Sequence, residues 1–178
     1  MAETILDSQA YNKAIEKISK EIFEKNKNLS EFAIVGVHSK GVFIAKRILS
    51  EIAGLAKISQ EQIPFGTLDI TLYRDDLDEF GADMPVIKDT VIPFDISQKN
   101  IILVDDVLYT GRTTRAALDV LMDFGRPKSI QLAVLVGRGK EYRELPIEAN
   151  YVGVEYIAKG KVKVQCKESE GEDKVFIL

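Results

Sequence analysis

Apolar residues recur at two different periods along this chain, and the two periods predict two kinds of element. Continuous or alternating apolar runs predict strands at residues 32–37, 66–73, 101–104, 131–136 and 151–154, with a terminal hairpin from 161–165 and 175–178. Apolar residues spaced by three and four predict helices over 11–23, 42–49 and 116–121. Asp7 and Ser8 precede the first helix and are suited to cap it.

The predicted strands alternate with helices. This order indicates an α/β fold with a mainly parallel, doubly wound sheet, built by residues 1–178 as a single domain. In such sheets, ligands bind beside the carboxyl ends of the strands. Because the loops at 38–41, 74–85, 105–114 and 137–140 each follow a predicted strand, we expect them to border one site.

The stretch 101–114 carries the strongest chemical signal. Two carboxylates, Asp105 and Asp106, follow the apolar run, and a turn of small and basic residues then leads into a helix. That turn consists of Thr110, Gly111, Arg112 and Thr113. Amides at a helix N-terminus, hydroxyl donors and one cation suit a phosphate dianion, and adjacent carboxylates can accept hydrogen bonds from vicinal hydroxyls. The order predicts a site for a phosphorylated sugar, whereas an acidic pair alone would also suit a helix cap, a magnesium site or a phospho-receiver domain.

Two further loops extend this hypothesis. Ser39, Lys40 and Gly41 follow the strand at 32–37 and could hold a pyrophosphate, although a plain turn with a solvated lysine has the same pattern. His38 is the only histidine, and we interpret it as a loop or packing residue. Residues 74–85 break every periodicity, which predicts a lid over about residues 74–90 with Arg74 at its root as a ligand.

Composition narrows the class of protein. The chain has 46% apolar and 29% charged residues, one cysteine, and no signal-peptide or membrane-spanning pattern, so we expect a cytoplasmic protein without a disulfide or zinc cluster. The net charge of −4 gives no global reason to bind nucleic acid. Lysines on the first helix are interleaved with glutamates, which favours a self-paired, solvated face over an RNA-binding surface.

Several segments together resemble one family. Residues 68–77 (LDITLYRDDL), 104–113 (VDDVLYTGRT), 125–127 with 130–136, and 143–147 (RELPI) are similar to the PyrR family of type I phosphoribosyltransferases. The resemblance implies phosphoribosyl pyrophosphate (PRPP) with Mg²⁺ and uracil as substrates, and UMP and pyrophosphate as products. It also implies a small hood from the N-terminal segment and the C-terminal part, a homodimer or higher homo-oligomer, and an operon mRNA leader as a possible partner.

The resemblance also implies roles for individual residues. Asp105 and Asp106 would anchor the ribose hydroxyls and contact the metal indirectly, through PRPP or water. The 5′-phosphate would lie on Thr110–Gly111–Arg112–Thr113, and the pyrophosphate on Ser39, Lys40 and Gly41 with Arg74 nearby. Tyr109 and Arg138 would lie near the base. The superfamily commonly has a non-proline cis peptide in the pyrophosphate loop, which we expect between Ser39 and Lys40.

The chain departs from the family pattern in ways that bear on the base. Ser39-Lys40 replaces the usual Thr-Arg, and the loop at 137–142 and the segment after 153 also differ. Tyr109 occupies the position where the similar hypoxanthine-guanine enzymes have an aspartate; a phenol is a poor base at neutral pH, which favours a pyrimidine. The alternatives are a purine-base (hypoxanthine, guanine or xanthine) phosphoribosyltransferase and a non-catalytic, UMP-sensing attenuator that binds RNA.

Overall fold

The computed structural model describes residues 3–74 and 87–178. Its elements, in chain order, are strand β1 (Glu3–Leu6), helix α1 (Ser8–Lys25), β2 (Phe32–Val37), α2 (Lys40–Ala56), β3 (Phe65–Leu68), β4 (Asn100–Leu108), α3 (Arg112–Met122), β5 (Ser129–Arg138), β6 (Tyr151–Tyr156), β7 (Val162–Gln165), α4 (Lys167–Glu170) and β8 (Lys174–Ile177). None of the helices in these two segments is long and apolar enough to cross a membrane.

A five-stranded sheet in the order β3-β2-β4-β5-β6 forms the centre, and every neighbouring pair is parallel. Successive side chains of a strand point to opposite faces. Along β2, Phe32 and Ile34 therefore pack with the apolar faces of α1 and α2, while Ala33 and Val35 pack with α3. β4 and β5 divide their residues in the same way, so both faces of the sheet are covered. The predicted doubly wound α/β sheet is confirmed.

The two ends of the described chain form a second, smaller sheet. Strand β8 pairs antiparallel with β1 on one side and with β7 on the other, so the predicted terminal hairpin is confirmed. Arg47 on α2 fastens this sheet to the body of the protein. Its guanidinium donates to Glu168 at 2.9 and 2.6 Å and to Asp173 at 2.7 Å, and lies 5.3 Å from the centre of the Tyr11 ring.

The sheet opens between β2 and β4. From β2 the chain continues to β3 on one side of it and then returns to β4 on the other, which makes this gap the topological switch point. β2 pairs with β4 only as far as Gly36 and Val104, whereas β4 pairs with β5 as far as Leu108 and Gly137. Asp105 and Asp106 were predicted to follow the strand, but they lie inside it, because the long β5 continues to supply ladder partners.

Residues 66–73 were predicted to be one strand, and this was wrong beyond residue 68. The Asp69 carboxylate accepts from the amide of Thr71 at 2.8 Å and from its hydroxyl at 2.6 Å, and a single 3₁₀ turn follows at Thr71–Tyr73. A side chain that bonds the backbone two residues ahead competes with the strand ladder. The chain therefore turns away from the sheet at Asp69.

The cis peptide was also expected one residue too late, since it joins His38 to Ser39 rather than Ser39 to Lys40. Ser39 is the N-cap of α2 with φ −101° and ψ −41°, so the Ser39–Lys40 peptide already enters the first helical turn, where a trans bond is required. The predicted lid falls mostly on residues 75–86, which lie outside the described part of the chain.

Candidate functional site

A cavity of about 380 Å³ lies at the switch point, and we call it the acidic cavity. It is lined by His38, Ser39, Lys40, Asp69, Ile70, Thr71, Arg74, Lys88, Asp105, Asp106, Val107 and Thr113. Six of these are predicted site residues: Ser39, Lys40, Arg74, Asp105, Asp106 and Thr113. The carboxyl ends of β2, β3 and β4 therefore converge on one space, as the parallel arrangement of the strands requires.

Asp105 and Asp106 are unusual because two adjacent carboxylates lie in a largely buried position. Asp105 is only 6% exposed. Burial and the neighbouring Asp106 charge raise the pKa of Asp105 well above its ordinary value, against the nearby Arg74. Burial also raises the pKa of Asp106, although Asp105 and Lys40 oppose the shift. The backbone supplies some compensation, since Asp105 Oδ1 accepts from the Asp106 amide and Asp106 Oδ1 from the Val107 amide, each at 2.8 Å.

Two helix N-termini border the acidic pair. α2 begins at Lys40 directly after the cis bond, and α3 begins at Arg112 after Gly111, which has φ +93°. The first amides of a helix have no partner within it and attract anions. Gly41 allows α2 to pack closely against β4. A Cβ there would lie 2.5 Å from the Val104 carbonyl oxygen, so only glycine lets α2 start this close to β4.

The loop 110–113 is held by the segment 143–147. The Thr110 carbonyl accepts from the amides of Glu144 at 3.0 Å and Leu145 at 3.2 Å, and Arg112 Nε donates to the Glu144 carboxylate at 2.5 Å. Arg143 donates to the carbonyls of Leu108, Tyr109, Ile147 and Arg138. Arg112 is exposed, and of the four predicted loop residues only Thr113 lines the acidic cavity.

The two residues predicted to lie near the base, Tyr109 and Arg138, border a neighbouring space of about 550 Å³, which we call the Arg138 cavity. It is lined by Val107, Tyr109, Arg138, Gly160, Lys161 and Val162, and it shares Val107 with the acidic cavity. The two cavities therefore adjoin across the end of β4. Tyr109 and Arg138 lie together here, away from Ser39 and Lys40.

Arg138 organises the wall of its cavity. Its guanidinium donates to three carbonyls at the end of β6 and just after it: Tyr156 at 3.1 Å, Ala158 at 2.7 Å and Gly160 at 2.8 Å. It also lies 5.2 Å, 4.9 Å and 5.6 Å from the ring centres of Tyr109, Tyr142 and Tyr156. A planar, five-donor group among aromatic faces is a geometry that lysine cannot reproduce. Arg138 is 5% exposed, so it shapes the cavity more than it presents charge to it.

Sequence reasoning missed Asp69 and Lys88 as site residues. Hydrogen bonds from Thr71 and from the Lys88 amide hold the pKa of Asp69 below its ordinary value, despite its partial burial. Lys88 Nζ donates to the Ser39 hydroxyl at 2.7 Å, so residues 87–90 reach across the acidic cavity. The Asp-x-Thr spacing at 69–71 was the available signal. Burial and the nearby Lys88 lower the pKa of His38, which therefore favours the neutral form at this edge.

The chain is similar to known phosphoribosyltransferases over its length. A family model described as a phosphoribosyl transferase domain matches residues 1–169. The bifunctional protein PyrR of Endomicrobium trichonymphae is 67% identical over 178 residues, covering 100% of this chain and 99% of that protein. The bifunctional protein PyrR of Deinococcus radiodurans is 52% identical over 177 residues, with 98% and 93% coverage.

Among solved structures, a hypoxanthine-guanine phosphoribosyltransferase from Bacillus anthracis superposes with a TM-score of 0.73. The match covers 99% of this chain and 98% of that one at 18% sequence identity. A hypoxanthine phosphoribosyltransferase from Staphylococcus aureus gives a TM-score of 0.70 at 17% identity, covering 99% of this chain and 92% of that one. At such low identity these matches show the shared fold alone.

The acidic pair makes a testable statement about stability. Because the folded pKa of Asp105 exceeds the unfolded value of about 3.9, the folded state binds more protons between these two values, and stability falls as the pH rises through the raised pKa. Asp105→Asn removes this charge and keeps an oxygen for the Asp106 amide. We expect the ligand-free variant to be more stable than wild type at pH 8 by about 1 kcal/mol or more, and closer to it at pH 4.

Urea denaturation at both pH values measures this difference. Asp119→Asn is the matched control, because its carboxylate pairs with Arg115 on an exposed helix face. A destabilised Asp105→Asn protein at pH 8 would contradict the prediction.

Proposed function

We propose, because this chain belongs to the PyrR family of type I phosphoribosyltransferases, that it transfers ribose 5-phosphate from PRPP to uracil and releases UMP and pyrophosphate. Phosphoribosyl transfer is the activity of the family, and uracil is the part that we add. The observation that carries the proposal is the acidic cavity, where the buried Asp105 and the half-buried Asp106 lie beside two helix N-termini. An acceptor pair for a diol next to two anion sites matches a sugar with phosphates at both ends.

Each part of PRPP has a corresponding group in this arrangement. Asp105 and Asp106 would accept hydrogen bonds from the two ribose hydroxyls. Residues 110–113 would bind the 5′-phosphate at the start of α3. Ser39, Lys40 and Gly41 would bind the pyrophosphate at the start of α2, with Arg74 adding charge.

Mg²⁺ fits this site as an ion that arrives with the substrate. Within residues 3–74 and 87–178, no cluster of three or more histidine, cysteine, aspartate or glutamate side chains could hold a metal by itself. Mg²⁺ commonly takes one or two carboxylates and completes its shell with water and substrate phosphates. Asp105 and Asp106 would hold it indirectly, through PRPP or water, and when bound it would neutralise charge on the leaving pyrophosphate.

The chain itself would act mainly through orientation and electrostatics. Displacement of pyrophosphate at ribose C1 passes through an oxocarbenium-like state, which carries positive charge on the sugar. The acidic pair lies where it can stabilise that charge, and both cavities hold their polar groups in place before the reaction. Uracil would attack C1 through N1, so the N1–C1 bond forms as the C1–O bond to pyrophosphate breaks and the N1–H proton is released; in this scheme the departing pyrophosphate takes that proton, and no side chain is assigned as the base.

The Arg138 cavity is where we propose that the base binds. It adjoins the acidic cavity at Val107, which would place a base next to C1 of the ribose. Tyr109 is 47% exposed and presents an aromatic ring to this space. The absence of an aspartate at position 109 removes the group that would handle a purine imidazole proton, which supports uracil over hypoxanthine, guanine or xanthine.

The ribose role predicts a large kinetic effect. Asp105→Asn and Asp106→Asn each replace an acceptor of diol hydrogen bonds and remove charge beside the developing cation. We expect kcat/KM for PRPP to fall by about 10²-fold or more, the size of effect seen when one positioned polar group is lost. Steady-state rates measure this, and unchanged rates in both variants would remove the acidic pair from the mechanism.

A product assay tests the choice of base. Purified protein is offered PRPP and Mg²⁺ with uracil, hypoxanthine, guanine or xanthine in parallel, and the nucleotides are separated by chromatography. We expect UMP to form at least about 100-fold faster than any purine nucleotide, because a site built for one set of polar edges rejects another strongly. A purine nucleotide as the main product would reject uracil and leave phosphoribosyl transfer in place.

Arg138→Lys separates base binding from PRPP binding. Lysine cannot span the carbonyls of Tyr156, Ala158 and Gly160, so we expect the cavity wall to loosen and KM for uracil to rise about 10-fold with KM for PRPP changing less than about 2-fold. Initial rates with each substrate varied give both constants. Lys140→Gln, which breaks only an exposed pair with Glu148, serves as the control. An equal rise in both constants would indicate general loosening instead.

The name of the relatives, bifunctional protein PyrR, supports a second function, and we propose that the chain also binds a pyrimidine-operon mRNA leader. Two of the α1 lysines already have partners within the chain: Lys17 donates to the Val152 carbonyl at 2.8 Å, and Lys20 pairs with Glu24. Filter binding of the leader at several salt concentrations tests this. We expect UMP-dependent retention that falls steeply with salt; retention that ignores UMP, or none, would contradict it.

A further inference from the structure

Lys40 is shared between the acidic cavity and the small sheet. Its ammonium donates to the Val164 carbonyl on β7 and lies 3.2 Å from Glu170 Oε1 on α4. Its side chain is 27% exposed and that of Glu170 30%, so both groups remain in contact with solvent, and Lys40 also lines the acidic cavity. A residue that we assign to pyrophosphate is thus already paired with a carboxylate of the C-terminal segment.

Glu170 is held in place for this contact. Its other carboxylate oxygen, Oε2, accepts from the Cys166 amide at 3.0 Å and from the Ser169 hydroxyl. The segment that carries it is fixed in turn, because Arg47 binds both Glu168 and Asp173. The Lys40–Glu170 pair is therefore a contact between two anchored elements rather than a chance meeting of two surface side chains.

A pyrophosphate at the start of α2 would meet both groups of this pair. The ammonium attracts it, while a carboxylate 3.2 Å beyond the ammonium partly cancels that attraction and repels the anion directly. The Glu170 carboxylate and a bound pyrophosphate would also compete for the three N–H donors of the Lys40 ammonium, one of which donates to the Val164 carbonyl.

We propose that Glu170 is a counter-charge that weakens the hold of Lys40 on pyrophosphate and thereby sets how readily this product leaves. The inference rests on the proposed function, which places pyrophosphate on Lys40. The C-terminal segment that carries Glu170 would then affect the reaction as well as complete the small sheet. Because pyrophosphate carries several negative charges, its affinity responds to Glu170 far more than that of a singly charged or neutral ligand.

The test is calorimetric titration of the full-length protein with inorganic pyrophosphate and Mg²⁺. We expect Glu170→Gln to lower the Kd by about 2- to 5-fold, the range in which partly exposed ion pairs act. Gln keeps an oxygen for the Cys166 amide, so the segment stays anchored. Glu172→Gln, an exposed residue of the α4–β8 connection with the same change in charge, controls for net charge and is expected to leave the Kd unchanged.

The sign of the change separates this role from a structural one. If Glu170 served only to hold the fold, its loss would weaken pyrophosphate binding and lower the melting temperature, so an unchanged or raised Kd overturns the inference. In a Lys40→Gln background, the gain from Glu170→Gln should shrink; an undiminished gain would show that the carboxylate does not act through Lys40 and would also overturn it.

The Lys40→Gln variant by itself tests whether Lys40 binds pyrophosphate, separately from the role of Glu170. A raised Kd for pyrophosphate in this variant supports the assignment of Lys40 under the proposed function, whatever Glu170 does. A Kd equal to that of wild type would overturn that assignment together with the inference.

Discussion

The position of the acidic pair depends on the unequal lengths of two strand pairings, β2–β4 and β4–β5. β4 runs four residues past its last partner on β2, while β5 accompanies it to Leu108. One side of Asp105 and Asp106 is therefore left open at the centre of the sheet, deep enough that ionisation is opposed by burial. Under the proposed function, the hydroxyl groups of the ligand would relieve this cost, which ties the stability of the free protein to its chemistry.

The parts of the fold that the sequence predicted are those governed by burial. Residues 32–37, 101–104 and 132–136 carry no polar side chain because each strand packs against helices on both faces, as the two separate cores show. The amphipathic helices were predicted equally well, since α1 buries the stripe formed by Tyr11, Ile15, Ile18 and Ile22. Such patterns depend only on which side chains face the apolar interior, and not on the identity of particular partner residues.

The parts that escaped prediction depend on particular partners. The end of β4 is set by the length of β5, the turn at Asp69 by its bonds to Thr71, and the position of the cis bond by where α2 begins. Lys88 is distant in sequence from Ser39, and only the folded chain brings the two together. The roles assigned to the individual site residues remain predictions.

The hydrogen bonds of Arg138 determine which residues beside its cavity can be substituted as the sequence evolves. The wall of its cavity is fixed through carbonyl oxygens of residues 156, 158 and 160, which every amino acid possesses. The exposed side chains of residues 157–159 can thus change while the backbone keeps its course, provided that the guanidinium remains, whereas Tyr156 contacts Arg138 and Gly160 has φ +111°. New ligand preferences could arise there by exchanging surface residues such as Ile157, which is 68% exposed, without rebuilding the underlying scaffold.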